Sequence, residues 1–323
     1  MKHVIFGGDG FVGRHTAEML LESGEQVLIC DIARSDLPIY DQAAHQYCDI
    51  TDRAQIAKVD LAPDDIVYNL AATMLHPIVK RADRHEHFFS VDYHGGVYII
   101  EYMEQVGCRQ LIQFSTDMVY GHAQRPRPLD NDHPRVPIGE YSDAKRALED
   151  YCIDKRQSGL KVSIFRPRII VGPGRVGILG SLFKLIRLSL PVPMIGNGRN
   201  RYQMISVYDC ASAAVASARK GVVNGEFNLG SDDPPTVRDL LKTIISHAGS
   251  KSLLVPTPAI ILKIVLRFLD RINLPLLVPE QFEIADTDYV ISTRATREQL
   301  DWRPQHSDTD MMLEAYKQWE AGR

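Results

Sequence analysis

A chain of 323 residues, 45% apolar and 24% charged, can bury a substantial core as one large α/β domain with a smaller lobe attached. Its formal net charge of -4 carries no basic footprint for nucleic acid, and its five scattered cysteines (Cys30, Cys48, Cys108, Cys152, Cys210) form no CxxC pair, which argues against a zinc ribbon or a disulfide framework. No apolar run reaches bilayer length and the chain opens on its first predicted strand, so the expectation is a cytoplasmic protein without signal peptide, membrane span or metal centre.

The run Val4-Ile5-Phe6 predicts a buried parallel strand, followed at once by Gly7, Gly10 and Gly13 and by helical spacing from Thr16 to Leu21. Strand, glycine turn and helix bring backbone N–H groups and the positive end of a helix dipole to one point, the arrangement that receives a dinucleotide pyrophosphate. A plain strand-to-helix turn also uses glycines, so the weight lies in the segments downstream of the turn. A second strand over 26–30 ends in Asp31, placed to accept hydrogen bonds from the adenosine ribose of NAD and to repel the 2′-phosphate of NADP. Arg34 is the counter-signal, which makes NAD the expected cofactor and NADP the alternative. The third strand, 45–48, leads to Asp49, set to meet the adenine edge, with Thr51 or Asp52 capping a helix from Arg53. The fourth, 66–72, ends in Ala71 and Ala72, whose small side chains leave room for a flat cofactor.

Residues 86–106 predict one long amphipathic helix, and 110–114 a fifth strand that runs into Ser115-Thr116-Asp117-Met118. A proline- and charge-rich loop over 122–139 precedes a helix carrying Tyr141 and Lys145 to about residue 155, and 161–166 is the sixth strand. Strands alternating with helices, without hairpin signals, predict a Rossmann-type doubly wound parallel sheet over 1–170, with a strand near 226–230 returning to it. Residues 171–323 are then mainly a smaller C-terminal substrate-binding lobe, with helices over 179–190 and from Thr236. The apolar run 259–269, bracketed by Pro256, Pro258 and Pro275, predicts a packed helix of that lobe, with membrane-surface contact as the lesser alternative.

Tyr141 and Lys145 stand four apart and share a helix face. A neighbouring ammonium favours phenolate and lowers the tyrosine toward working pH, which makes Tyr141 a candidate general acid or base on a substrate hydroxyl. Thr116 is placed to hydrogen-bond the same oxygen. The spacing alone is common on solvated faces; its position after a strand ending in Ser-Thr, downstream of the glycine turn, is what singles it out. Arg168, Arg175, Arg199 and Arg201 fall near turns beyond the core strands and are candidates to clamp a diphosphate, against the alternative of a solvated basic loop. His76 is a weaker candidate to face the substrate, and the remaining histidines show no metal spacing.

With these residues in place the chain resembles an extended short-chain dehydrogenase/reductase of the NAD-dependent epimerase/dehydratase family, over essentially its whole length. Gly7-x-x-Gly10-Phe11-Val12-Gly13 matches TGxxGFxG with Phe6 where threonine is usual, and Asn69-Leu70-Ala71-Ala72 is similar to HLAA. Ser115 to Gly121 resembles the strand end that carries the catalytic Ser/Thr, at Thr116, and Tyr141 and Lys145 match YxxxK. Arg166-Pro167 through Gly172-Pro173-Gly174 resembles RPxxxxGPG, and Asn228-Leu229-Gly230 the late NLG strand. The resemblance implies catalysis by Thr116, Tyr141 and Lys145, with Lys145 also holding the nicotinamide ribose. It implies cofactor contacts at Gly7, Gly10, Phe11, Val12, Asp31, Asp49, Ile50, Leu70, Ala71, Ala72, Tyr141, Lys145 and Pro167. It also implies a homodimer through the helices over 86–106 and 141–155.

Departures from the family pattern narrow the reaction. Met118 stands where 4,6-dehydratases need a glutamate base, Ile169 where UDP-hexose epimerases carry a diphosphate-binding asparagine, and Asp92 where VNxxGT has asparagine. The leading expectation is an NAD-dependent epimerase of a nucleotide sugar. The alternative is an NAD(P)-dependent dehydrogenase or reductase of a non-nucleotide, hydroxysteroid-like or other small substrate, the branch that the Arg166-Pro167 form resembles. A catalytically silent dinucleotide sensor is a third reading, disfavoured by the complete Thr116, Tyr141 and Lys145 set.

Overall fold

Seven short strands form one parallel sheet in this computed structural model, which describes every residue except 74, 76–78, 126–127, 178 and 323, and for residues 39 and 40 the backbone alone. In chain order the strands are β1 (His3–Phe6), β2 (Val27–Asp31), β3 (Ala44–Tyr47), β4 (Ile66–Asn69), β5 (Gln110–Phe114) and β6 (Lys161–Pro167). Beyond them β7 (Ile169–Val171) pairs with β9 (Met204–Ser206), and β8 (Val192–Ile195) pairs with β11 (Leu254–Thr257). Between these last elements β10 (Gly225–Leu229) returns to the main sheet beside β6. The sheet order is β10-β6-β5-β4-β1-β2-β3, the doubly wound arrangement expected from the sequence. Both faces are covered, so β1 and β4 are buried at every position and read as continuous apolar runs without alternation.

The helices are α1 (Phe11–Glu22), α2 (Arg53–Ile56), α3 (Arg84–Phe89), α4 (Gly96–Val106), α5 (Glu140–Lys155) and α6 (Leu179–Arg187). They continue with α7 (Val207–Arg219), α8 (Val237–His247), α9 (Ala259–Arg271), α10 (Pro279–Phe282), α11 (Arg294–Leu300) and α12 (Asp308–Ala321). One face of the sheet packs on α1 and α7 through Ala17, Leu20, Cys210 and Ala214, joined by Trp302. The other packs on α2, α4 and α5 through Ile56, Ile100, Leu148 and Cys152. A separate core joins α6, α8 and α12 around Phe183, Ile244 and Tyr316. Several late helices start on side-chain caps. Ser206 accepts from Tyr208 N, Thr236 from Asp239 N and Ser307 from Asp310 N.

Two helices differ from expectation. Residues 86–106 are not one α-helix: α3 and α4 are separated by a π-helical turn, Ser90–Gly95. At its end stand Gly95 and Gly96, where a β-carbon would press on the side chains of Ile50 and Leu148. The bare backbone therefore approaches both, and the chain absorbs one extra residue in the turn. The second is α9, expected as a packed helix. Its apolar side chains Ile260, Ile261, Ile264 and Phe268 point outward, and Leu266 and Asp270 are its buried residues. The reason is that its polar side binds the body of the protein, through ion pairs of Lys263, Arg267 and Asp270. All five cysteines are free and buried.

Candidate active site

The carboxyl edge of the sheet opens on the glycine turn. Gly7 has φ +76°, and a β-carbon there would lie 2.6 Å from Ala71 Cα and 2.7 Å from Leu70 C. A β-carbon at Gly13 would lie 2.7 Å from Gly8 Cα, so α1 packs directly on the end of β1. Gly10 precedes α1 without any side-chain cap, which leaves the first-turn amides, beginning at Phe11 and Val12, facing outward from the turn.

Asp31 ends β2 beside this turn. Its Oδ2 accepts from Asp9 N at 2.9 Å and its Oδ1 from Ala33 N at 3.0 Å, which locks the carboxylate while leaving lone pairs for further donors. Asp9 Oδ2 in turn accepts from Ser35 N and Oγ. Two carboxylates thus border the position at which a 2′-phosphate would arrive, with exposed Arg34 beside them. Asp49 accepts from Thr51 N and Oγ1, so it closes a tight turn, while Asp52 supplies the cap on α2. Ile50 is buried against Gly95, and Leu70 N donates to Phe6 O, which seats the Leu70, Ala71 and Ala72 backbone over the turn.

Tyr141 and Lys145 lie on the first turns of α5. Lys145 is buried, its Nζ 2.9 Å from Asp92 Oδ1 and 3.3 Å from Phe114 O. Asp92 sits in the π-helical turn, and its Oδ2 accepts from Thr73 N at 3.2 Å. The Lys145 ammonium stands 5.9 Å from the centre of the Tyr141 ring, whose other side meets Phe88 edge-on. Thr116 closes β5 and caps the following turn by accepting from Met118 N. The expected lowering of Tyr141 does not occur. Burial pushes its hydroxyl well above the usual tyrosine range, Asp92 adds to that, and Arg175 opposes it. The correction has a plain cause: burial disfavours the phenolate, and Asp92, which faces the Lys145 charge directly, adds its own negative charge in the same direction.

A residue from far along the chain completes this corner. Gly139 caps α5 with no side chain of its own, and a β-carbon there would collide with the Glu280 carboxylate. Glu280 is buried at the start of α10 and accepts from the backbone of Tyr141 and Ser142, an N-terminal cap delivered across the lobes. Burial raises Glu280 from its ordinary value, and these backbone bonds partly offset it. Nothing local in the sequence marked Glu280; the sole hint was a helix beginning at a glycine.

The four candidate arginines are not brought together. Arg168 is a correction: it is fully buried, paired with Asp117, donates from Nε to Gln203 O, and is stacked between Tyr202 at 4.6 Å and Tyr289 at 4.5 Å. It braces the segment after β5, with its Nη2 buried and without a hydrogen-bond partner among the described residues. Arg166 is committed likewise, with two bonds to Glu149 at 2.9 and 2.7 Å. Its neighbour Pro167 is buried at the end of β6, in register with Leu229. Arg175 lies on the site side, its guanidinium carbon 6.0 Å from the Phe11 ring centre and its charge felt at Tyr141. Arg199 is exposed, and Arg201 lines a cleft of about 400 Å³ with Asp232, Arg294 and Arg297, a wall that includes none of Thr116, Tyr141 and Lys145. His76 lies outside the described residues, and among the described residues no cluster of metal-ligating side chains occurs.

Similarity to known proteins agrees with this edge of the sheet. The chain is 27% identical over 324 residues to uncharacterized protein y4nG of Sinorhizobium fredii, covering 99% of this chain and 79% of that one. It is 26% identical over 275 residues to UDP-N-acetyl-alpha-D-glucosaminuronate decarboxylase of Bacillus cytotoxicus, 78% of this chain and 83% of the relative. The fold matches that of UDP-glucose 4-epimerase of Thermus thermophilus, solved in complex with NAD, with a TM-score of 0.79 at 22% identity and all of both chains covered. The NAD dependent epimerase/dehydratase family matches residues 3–230, and the chain belongs to that family.

Proposed function

We propose that this member of the epimerase/dehydratase family binds NAD and epimerises a nucleotide sugar, with Thr116, Tyr141 and Lys145 as its catalytic residues. The observation that carries the reading is the meeting, at one edge of the sheet, of an uncapped helix start behind a glycine cradle and a half-buried Tyr141 beside buried Lys145. The residues fit a dinucleotide. The α1 amides suit its pyrophosphate, Asp31 retains acceptor capacity for ribose hydroxyls, and Asp9 with Asp31 disfavours a 2′-phosphate. Asp49, Ile50, Leu70, Ala71, Ala72 and Pro167 form the remaining wall of the proposed cofactor site. NAD supplies the hydride acceptor and donor when bound.

Within that frame Tyr141 would act as its phenolate, a form that the positive charge of Lys145 and of an oxidised nicotinamide beside it would favour. It takes the proton from the substrate hydroxyl and returns it, while Thr116 Oγ1 holds the same oxygen. Lys145, fixed by Asp92 and Phe114 O, presents its remaining ammonium donor to the cofactor ribose. Met118 offers no second base, which suits epimerisation over elimination of water. Arg175 is the arginine placed to meet a substrate phosphate; Arg168 is not. The alternative, an NAD(P)-dependent dehydrogenase or reductase of a small non-nucleotide substrate, draws support from that commitment of Arg168 and from Ile169. We further propose a substrate lobe built around α6, α8 and α12, a reducing compartment in keeping with five free cysteines, and a homodimer through the outer sides of α4 and α5.

Mass spectrometry of small molecules released on denaturing the dialysed protein tests the reading. Stoichiometric NAD, retained because an epimerase recycles it in place, is the expected result. A protein that emerges empty and exchanges NAD(P)H freely belongs to the alternative.

A further inference from the structure

Helix α9 is amphipathic the wrong way round. Its polar side grips the protein: Asp270 pairs with Arg84 at 2.5 Å, Lys263 with Asp286 at 2.5 Å, and Arg267 with Glu283 through two bonds at 2.6 Å. Its apolar side faces water, with Ile260 77%, Ile261 62%, Ile264 58% and Phe268 60% exposed. A row of large apolar side chains on one helix face is costly in water unless something covers it. Leu274 and Leu276 extend the row beyond the helix end, and both are exposed.

The charges around this face indicate what covers it. Of the basic residues in 251–276, Lys263 and Arg267 are offset by Asp286 and Glu283, while Lys251 and Arg271 are exposed and carry positive charge outward in a chain whose net charge is -4. Asp270 is buried on Arg84, so the outward side of α9 presents no carboxylate. Arg267 follows Ile264 by three residues and Arg271 follows Phe268 by three, so both border the apolar row on one side. Arg267 is neutralised by Glu283, whereas Arg271 is exposed and in no ion pair among the described residues, so a second copy docked here about a twofold axis would bring two uncompensated Arg271 charges onto one face. A surface of anionic headgroups over acyl chains satisfies both parts at once. With 13 residues α9 is ~20 Å long, shorter than the ~30 Å hydrocarbon core, so it lies along such a surface and does not cross it.

We propose that the outer face of α9, with Ile260, Ile264 and Phe268 as its apolar anchors and Arg271 at its border, docks the protein on an anionic membrane surface. The inner ion pairs that make this orientation possible also tie α9 to α3 and to the segment holding Glu280, so the docked face sits behind the Tyr141 corner.

Flotation with vesicles of phosphatidylcholine alone, and of phosphatidylcholine mixed with phosphatidylglycerol, tests this directly. The whole protein is expected to float with the mixed vesicles, less so as salt is raised, and weakly with phosphatidylcholine. Ile264→Glu and Phe268→Glu each reduce the bound fraction about tenfold or more. Arg271→Glu removes the preference for the anionic lipid. Because these side chains are exposed, the variants keep the wild-type melting temperature and far-ultraviolet circular dichroism; a lowered melting temperature means that the face is packed and overturns the proposal. So does a protein that ignores both vesicles, or a Phe268→Glu variant that floats as well as the wild type. Light scattering that shows a dimer converted to monomer by Phe268→Glu, without vesicle binding, assigns the face to a second copy and overturns it too.

Discussion

The two halves of the candidate site are built by different means. At the glycine turn most determinants lie within the first strand–helix–strand unit, with the backbone of Leu70 and Ala71 seated against Gly7. Gly7, Gly10 and Gly13 shape the backbone, and Asp31 is held by amides of Asp9 and Ala33. At the tyrosine corner the determinants come from four remote places: Asp92 in a π-helical turn, Glu280 from the second lobe, Phe114 from β5, and Arg175 beyond β7. The first half is a motif and the second an assembly. A binding surface for a rigid, invariant ligand needs only backbone geometry, whereas tuning a proton donor needs charges that can be placed independently of the helix that carries it.

The predictions test how separate these halves are. Tyr141→Phe strikes the assembly hardest: turnover should fall roughly 100- to 10,000-fold while the cofactor stays bound, read by rate on a competent substrate and by mass spectrometry of the denatured protein. Undiminished turnover removes Tyr141 from the mechanism. Arg168→Met leaves Asp117 buried without its partner and should cost about 3–5 kcal/mol, seen as a shifted denaturant midpoint; an unchanged midpoint means that the pair contributes nothing to the fold. Gly7→Ala acts on the motif alone. The φ of +76° and the contact with Ala71 should cost about 1–3 kcal/mol and weaken NAD binding, measured by calorimetric titration, while the Tyr141 environment stays as it was.

Asp92→Asn is the finest probe. Tyr141 is raised first by burial and next by the Asp92 charge, so a neutral amide lets its proton leave more easily. The tyrosinate should therefore appear at lower pH in an ultraviolet difference titration, with Tyr141→Phe as the blank. A shift in the opposite direction would show that the Lys145 charge is lost from the ring when its partner is removed. Gly7→Ala should leave that titration in place, and if it does not, the two halves are coupled through the sheet edge.

Legibility in the sequence divides along the same line. The parallel sheet, the turn, Asp31, Thr116 and the Tyr141–Lys145 pair were legible because each depends on residues near one another in the chain, with periods and spacings that backbone geometry enforces. The raised Tyr141 was not, since spacing along a helix pairs the tyrosine with its lysine and has no means of placing Asp92 against it. The Ser90–Gly95 turn escaped because apolar spacing is nearly the same on either side of one inserted residue; the pair Gly95-Gly96 was the signal available. Arg168 was read as a ligand because its chemistry suits one, and only the surrounding Asp117, Tyr202 and Tyr289 show that it is spent within the fold. In α9 the pattern of apolar and polar positions was visible, but a pattern does not say which side faces in.

The cap on α5 has a consequence in time. Tyr141 and Lys145 leave the ribosome well before Glu280, and at roughly 5–20 residues per second the interval is about 7 to 28 seconds. Through that interval the helix bearing both residues starts at a bare glycine, its first amides open to water and its amino end free to fray. A growing chain can therefore complete the glycine turn and hold its nucleotide long before it can present a fixed tyrosine. The order of synthesis sets the glycine turn before the cap, and a segment that emerges late closes the start of a helix made long before it.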